Sequence, residues 1–571
     1  SALVARAGGN PLYLGELVAA MATSADALEL PDSIEGLISA RIDRLVPAHR
    51  RLLRTAAVLG MDVDIPVLAR VGAAVDELPH LSEFLAEADG GQVRFRHHLV
   101  RESAYEGLPF RRRAELHGRT AAAIEELAGP RAEERADLLS VHCFHGARYR
   151  DAWRYSVVAA DRARAQYANA EAAEGFDRAL AAARRVRDRG GLDLLGVRER
   201  LGDVAFELGE FDRARRALRA ARDEASAGPV DRARICAKLA MVEESSTRYS
   251  TGLRWVTRGL QTLADIPGDA ARRVEGELTT RRARLLHFQG RDREALRWAE
   301  VAVEQAEACG DDLTLAHALE YLDRCQVALG IVEAEPAAQR SLAIYEAAGQ
   351  VAAQARIHNS LGMRAYFTGD WVLSLQHYRA AEEAYLRAGR GWGAATCQAN
   401  IAEVLSDQGH LEEATDLLEQ AMRVWRGIGA ESEVTFGEYL LGRIDARSGR
   451  LDQALARYAA ARGFCVAAGE EGEVQLIDAL RAEALVLDGR AGDGLAEADR
   501  ALAEALAAPG LVATIPLLHR IRGAALLATG DRDGAAAALR ESVATARQRE
   551  ARHDLAMALD LLLAHGLERS S

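Results

Sequence analysis

The sequence predicts an all-α fold: a solenoid of helix-turn-helix repeats, headed by a small domain of short helices with one strand turn-back. Three observations carry this expectation. The chain has 571 residues, too many for one core, because cores stop growing at roughly 250–300 residues and longer chains split or spread into arrays. It is 49% hydrophobic and 27% charged but only 5% aromatic, with 12 Pro, and its wealth of Ala, Leu, Arg and Glu favours helix over sheet. Its glycines also recur with a steady beat through the second half.

Taken in order, residues Ser1 to Gly9 show neither an initiator Met nor a signal-peptide pattern, so the chain is expected to begin inside a longer protein. Pro31-Asp32-Ser33 starts a helix carrying Ile34, Leu37, Ile38, Ile42 and Leu45. Pro47 starts a second, with Leu52, Leu53, Ala56 and Leu59, which stops at Gly60. Ile65 to Val71 and Leu81 to Ala88 read as two further short helices. Gly90-Gly91 then turns into an alternating strand, Gln92 to His97. Helical periodicity resumes at Leu99, breaks at Pro109 and runs amphipathically to Leu127. Several small helices and one β turn-back over residues 31–130 outline a winged-helix-like domain. Residues 131–190, with Ala147 to Tyr155 and Tyr167 to Leu180, read as divergent first repeats, as expected where a terminal repeat faces something else.

Residues 191–571 form the array. Gly290, Gly330, Gly369, Gly409, Gly449, Gly489 and Gly530 stand 39 to 41 residues apart, and Gly209 begins an earlier copy. A second set (Gly310, Gly349, Gly389, Gly429, Gly469 and Gly510) falls midway, so each repeat holds two helices closed by Gly in the left-handed conformation. Seven residues before the turn, Gly202, Gly362, Gly442 and Gly523 lie on the first helix, helix A, where a neighbour must approach closely. Five after it come Ala214, Ala295, Ala414, Ala454 and Ala535 on helix B, followed by Leu218, Tyr378, Leu418, Tyr458 and Leu539 one turn on. This pattern resembles tetratricopeptide repeats of the long, about 40-residue kind.

Charge and rare residues exclude several functions. A net charge of −13 argues against nucleic-acid binding, which usually calls for a basic surface. The single lysine, Lys238, has no glycine near it, so the chain holds no phosphate-binding loop of the Gly-x-x-x-x-Gly-Lys-Ser/Thr type. No catalytic constellation is found, and the chain is read as not itself an enzyme. Six scattered cysteines (Cys143, Cys236, Cys309, Cys325, Cys397 and Cys465) form no Cys-x-x-Cys pair and suit buried thiols in a reducing cytoplasm. His142-Cys143-Phe144-His145 lacks a second ligand cluster and reads as helix packing, so no metal site is expected. Arg111-Arg112-Arg113 reads as a solvated or interdomain helix face.

The N-terminal residues carry a family resemblance. Gly8-Gly9-Asn10-Pro11-Leu12-Tyr13-Leu14 resembles the Gly-x-Pro-Leu segment in the helical lid of signal-transduction ATPases with numerous domains (STAND NTPases) of the AAA type. Phe95-Arg96-His97-His98-Leu99-Val100-Arg101-Glu102 resembles the His-containing motif of their winged helix. Leu30 to Leu37 and Tyr105 to Phe110 are similar to bacterial members coupled to adenylate or guanylate cyclases, kinases or transcription activators. The resemblance implies that residues 1–30 end a helical lid, that Pro11 packs on an adenine, and that His97 reaches the β-phosphate of ADP. His98 departs from the acidic residue of many relatives. From the residues alone, Pro11 reads equally as a helix N-terminal proline and His97 as a strand-end histidine with a structural hydrogen bond. No cofactor is expected in this chain; ATP or ADP would belong to an upstream NTPase domain of the parent protein.

In tetratricopeptide arrays exposed helix-A positions line the concave wall. Here they include Arg284, His287, Glu320, Arg324, Asn359, Met363, Tyr366, Glu403, Tyr439, Arg443, Glu483 and Arg520, besides Asp203 upstream. Alternating charge with Tyr and Met suits a specific peptide, protein segment or small ligand rather than a uniform polyanion. The expectation is a cytoplasmic sensor and regulatory fragment of a STAND-type ATPase, coupling ligand binding on the solenoid to nucleotide state. The alternatives are a passive interaction scaffold, or the regulatory part of a nucleotide cyclase or transcription activator. No membrane span is expected.

Overall fold

The computed structural model describes residues 33–567, apart from residues 225, 330, 332–336, 469, 508–513 and 549–550. Pro11, the lid segment 1–30, Gly330, Gly469 and Gly510 therefore lie outside the described residues. The chain divides into two compact units between Ser246 and Thr247.

The first unit opens with the small mixed region. Helix α1 (Ile34–Asp43) begins where the Ser33 hydroxyl accepts the Gly36 N–H at 3.1 Å, and it buries Leu37, Ile38 and Ile42. Helix α2 (Pro47–Leu59) starts on its proline as expected and buries Leu52, Leu53 and Ala56. Strand β1 (Asp62–Asp64), helix α3 (Ile65–Arg70), a 3-10 helix (Val75–Leu81), β2 (Leu85–Ala88), β3 (Gln92–Phe95) and helix α4 (His98–Glu106) follow. The sheet is antiparallel in the order β1-β3-β2, with Val63 opposite Val93 and Leu85 opposite Phe95.

One sequence expectation changes here, and one strand was not expected. Leu81 to Ala88 is not a helix: a 3-10 turn ends at Leu81 and residues 85–88 pair with β3. Leu81, Phe84 and Leu85 are buried at a spacing that imitates a helix, but the backbone of residues 85–88 is satisfied by the neighbouring strand. Strand β1, three residues long, is too short to show a period.

Helices α5 (Phe110–Ala128), α6 (Ala136–His145), α7 (Tyr149–Ala165), α8 (Asn169–Ala183), α9 (Leu194–Glu207), α10 (Phe211–Arg222) and α11 (Pro229–Ser245) complete the first unit. The lone lysine is structural: Lys238 on α11 meets both carboxylate oxygens of Asp203 at 2.7 Å and Glu199 at 2.8 Å on α9. In these divergent repeats the left-handed turn falls on Ala147 (φ 56°) and Tyr167 (φ 59°) instead of Gly. An L-residue there costs about 1–2 kcal/mol, and Tyr167 is 89% exposed, so it packs against little. Tyr167→Gly is expected to raise stability by about 0.5–1 kcal/mol, read as a higher thermal midpoint.

The second unit is a run of helix pairs. Its A helices are α13 (Asp269–Phe288), α15 (Asp312–Ala328), α17 (Val351–Phe367), α19 (Gly391–Asp407), α21 (Glu431–Arg447), α23 (Glu471–Leu487) and α25 (Ile515–Thr529). Its B helices are α12 (Tyr249–Leu263), α14 (Asp292–Cys309), α16 (Ala337–Ala347), α18 (Trp371–Arg387), α20 (Leu411–Gly427), α22 (Leu451–Ala468), α24 (Ala491–Ala507) and α26 (Arg532–Gln548); α27 (Arg552–Ala564) ends the unit. The described turn glycines carry the predicted positive φ, 85° at Gly409 and 77° at Gly449 among them.

The helix-A glycines sit at the expected contacts. A Cβ on Gly442 would come within 2.7 Å of the buried Tyr458 ring, and one on Gly362 equally close to Tyr378. Gly442→Val is therefore expected to cost about 2–3 kcal/mol by overpacking, and pairing it with Tyr458→Leu should recover part of the loss in a thermal melt. Among the described residues no helix is long and apolar enough to cross a membrane.

Candidate functional site

The candidate site is the helix-A wall of the second unit, where the structure separates the predicted residues into two stretches. Downstream, charges from successive repeats bond to one another. Arg443 on α21 donates to Glu403 (2.5 Å) and Asp407 (3.0 Å) on α19, and Arg447 donates to Asp407 at 2.5 Å. The Tyr366 hydroxyl of α17 donates to Asp407 at 2.6 Å. Arg520 on α25 pairs with Glu483 on α23 at 2.9 Å, and the Tyr439 hydroxyl donates to Glu473 at 2.8 Å. The alternating signs along the wall are thus a ladder of ion pairs between repeats.

Electrostatics follow this pairing. Burial pushes the Glu403 carboxyl above the usual carboxylate range despite Arg443. Burial also opposes ionisation of Asp407, but Arg443 and Arg447 outweigh it and hold that carboxyl low. At Glu483 burial is likewise outweighed, by Arg520. Burial holds the Tyr366 and Tyr439 phenols well above their ordinary value, so both remain neutral donors. The first turn of α27 closes on this stretch: the His553 ring lies 5.5 Å from Trp371, and a Cβ on Gly369 would come within 3.2 Å of Arg552 Cβ.

The upstream stretch is different in kind. Arg284 on α13 lies over the rings of Phe288 (5.6 Å) and Tyr321 (5.4 Å), and Arg324 on α15 lies over Tyr321 from 5.6 Å. His287 meets the Tyr321 ring edge-on at 6.3 Å and bonds Asp292 at 2.6 Å. Phe288 is 39% exposed and stacks on Tyr249 at 5.7 Å. Glu320 is fully buried beneath, bonded by Arg356 at 3.1 Å, with Arg324 at 3.7 Å. Next along the wall, the Asn359 side-chain oxygen accepts from Asn400 at 2.9 Å, and Met363, one turn on, is exposed.

Several participants escape the sequence pattern. Asp407 and Arg447 lie four residues beyond the predicted Glu403 and Arg443, one helical turn along the same face, so the i+4 rule could have found them. Phe288 and Tyr321 adjoin predicted residues, but the exposure of Phe288, the burial of Tyr321 and their stacking depend on packing between repeats. Arg364 and Asp323 form another buried pair, at 2.5 Å.

In the first unit His97 is exposed at the end of β3, where it occupies the N-cap position of α4 without a side-chain cap bond. Arg112 of the arginine triplet pairs with Glu115 at 2.7 Å and Arg113 lies 5.1 Å over Tyr105, a helix-face role. His142 packs on His117, and burial pushes the Cys143 thiol up to about 12. Two triads of metal-ligand type occur among the described residues: His49 with Glu77 and His80, and His287 with Asp292 and Cys325. In both the first histidine is already bonded to the carboxylate, at 3.0 Å and 2.6 Å, and burial pushes the Cys325 thiol up to about 12.

Comparison with known proteins matches residues 353–427 to the tetratricopeptide repeat family model. No curated protein matches by sequence. Among solved structures, the fold is similar to a Rap protein complexed with competence and sporulation factor, with 13% identity over 62% of this chain and 98% of that one, TM-score 0.50. A STAND protein with a tetratricopeptide repeat sensor from Pyrococcus horikoshii has 14% identity over 83% of this chain and 71% of that one, TM-score 0.41. Aspartyl phosphate phosphatase F from Bacillus subtilis has 11% identity over 62% of this chain and 93% of its own, TM-score 0.42. The chain is a mostly helical array of tetratricopeptide-like helix-turn-helix repeats with a small mixed region near its N-terminal end.

Proposed function

We propose that the chain is the sensor and regulatory part of a STAND-type signalling ATPase. In this reading the wall from α13 to α17 takes up an extended protein or peptide segment carrying an apolar anchor and carboxylates. One observation carries it: the arginine–aromatic cluster of Arg284, Phe288, Tyr321 and Arg324, with Phe288 open to solvent. Arg and aromatic side chains dominate interface energetics, and an exposed ring beside guanidinium groups offers an anchor and charge together. The downstream ladder is built of charges bonded from repeat to repeat, which suits a rigid frame.

The test is selection of short displayed peptides against the chain, followed by Arg284→Glu and Arg324→Glu. Each reversal should weaken the selected peptides about tenfold or more, a loss of about 1.4 kcal/mol. Equal binding by wild type and variants would remove the cluster from the reading. Coupling to nucleotide is a separate expectation. His97 is exposed and an imidazole N–H is a good donor to phosphate, so in a parent protein with a phosphate-binding domain His97→Ala should speed ADP release. Unchanged release would favour a passive scaffold.

A further inference from the structure

A cavity of about 410 Å³ opens within the first unit, between the small sheet and the helices that follow it. This falls within the roughly 300–1,000 Å³ of ordinary small-molecule sites. Its apolar lining comes from Leu59, Pro66, Val67, Ile124, Leu127 and Leu138, and with the polar lining α2, β1, α3, β3, α5, the 3-10 turn Gly129–Arg135 and α6 all contribute to one concavity.

Two polar groups among its lining residues are unusual. Thr120 is 0% exposed and its Oγ1 has no hydrogen-bond partner. Thr279, Thr280 and Thr435, also in helices, each donate to the carbonyl four residues back at 2.8–2.9 Å; Thr120 forgoes that bond. A buried hydroxyl without a partner is unfavourable, and a ligand acceptor would relieve it. His142, 4% exposed, ends a chain of hydrogen bonds: Tyr105 Oη to His117 Nε2 at 2.9 Å, then His117 Nδ1 to His142 Nδ1 at 2.9 Å. If Tyr105 donates, His117 donates on to His142 and the His142 proton lies on Nε2; if Tyr105 accepts, His142 Nε2 is the acceptor. The relay can thus present either a donor or an acceptor without gaining charge.

The mouth carries charges of both signs. Asp62 is engaged by Arg94 at 2.5 and 3.0 Å, and Asp64 caps α3 by accepting the Val67 N–H at 3.3 Å. Asp64 and Glu134 remain anionic, and Arg131 and Arg135 supply two exposed guanidinium groups able to hold an anionic end.

We propose that this cavity binds a small organic anion with an apolar ring or chain body, its charged end held by Arg131 and Arg135 and its buried end met by Thr120 and His142. Such a ligand would bridge the mixed region to the first helices of the array, on residues that all belong to the first unit.

The test uses anilinonaphthalene sulfonate, a fused apolar ring with one anionic group, titrated into the full chain and followed by fluorescence. One saturable site is expected. Leu138→Trp, at a position 40% exposed, should fill the mouth and weaken binding about tenfold, as should Arg131→Glu combined with Arg135→Glu. Thr120→Val keeps the side-chain shape and should weaken binding about threefold to tenfold. Circular dichroism and melting of each variant establish that it is folded; Leu138, Arg131 and Arg135 are exposed, so these changes leave the core alone. Naphthoate should displace the probe, and naphthylmethanol, the same ring without the charge, should not at equal concentration. No saturable site, or one that all these folded variants bind unchanged, would overturn the proposal; equal displacement by the alcohol would overturn the anionic class.

Discussion

Arg443→Met is expected to lower the stability of the second unit by about 3 kcal/mol, seen as a drop of several degrees in its thermal midpoint. Removing one partner of a buried ion pair costs about 3–5 kcal/mol, because a charge is left behind without compensation. The lower end applies here, since the Arg443 and Glu403 side chains are still 17% and 23% exposed. Asp407 keeps Arg447 and Tyr366, whereas Glu403 loses its hydrogen-bonded guanidinium and keeps only the weaker field of Arg447. The deficit therefore resides mainly in Glu403, and two checks follow. Adding Glu403→Gln should recover about half of it. The deficit should also shrink as pH falls towards the carboxylate range: burial already raises the Glu403 carboxyl, loss of Arg443 raises it further, and a group that binds more protons when folded favours the fold in acid. If the double variant is no more stable than the single one, the ladder is not what holds α19 to α21.

Acid should have the opposite effect on the first unit. His117 and His142 are each 4% exposed, and burial holds their pKa values down to about 3 and about 4. Unfolded histidine titrates near 6.5, so between about 6.5 and about 4 the unfolded chain binds more protons and stability falls as pH falls, by up to about 1.4 kcal/mol per pH unit for each histidine. The groups around them give an imidazolium no help: after burial, the influences on His117 are His142, His145 and Arg113, and that on His142 is His145, all of them cationic or able to become so. Over this window the loss sums to several kcal/mol, large beside the stability of an ordinary domain. His117→Asn with His142→Asn should lower stability at neutral pH but flatten its decline between pH 6.5 and 4, as followed by near-ultraviolet circular dichroism. An unchanged slope in the double variant would place the acid sensitivity elsewhere.

The repeat architecture was legible because it rests on backbone and steric requirements that only certain residues meet. A left-handed turn calls for Gly, as at Gly409 and Gly449, and the close contact of Gly442 with Tyr458 allows no Cβ on helix A. The start of α1 at its Ser33 cap and of α2 at Pro47 was legible for the same local reason. Strand β2 was not, because residues 85–88 become a strand only through their pairing with β3. The wall was legible by position and not by state. Helical spacing put Glu403 and Arg443 on one face, but their mutual bond spans forty residues of chain and depends on how one repeat stacks on the next. The cavity was hidden entirely: its lining comes from seven elements, and an orphaned Thr120 hydroxyl leaves no mark on a sequence.

Amide hydrogen exchange of the chain with and without a peptide selected against it tests the functional account most directly. Protection is expected in residues 269–288, 312–328 and 351–367, and it should vanish with Arg284→Glu. Protection confined to residues 431–548, or to none of the A helices, would contradict recognition by the arginine–aromatic wall.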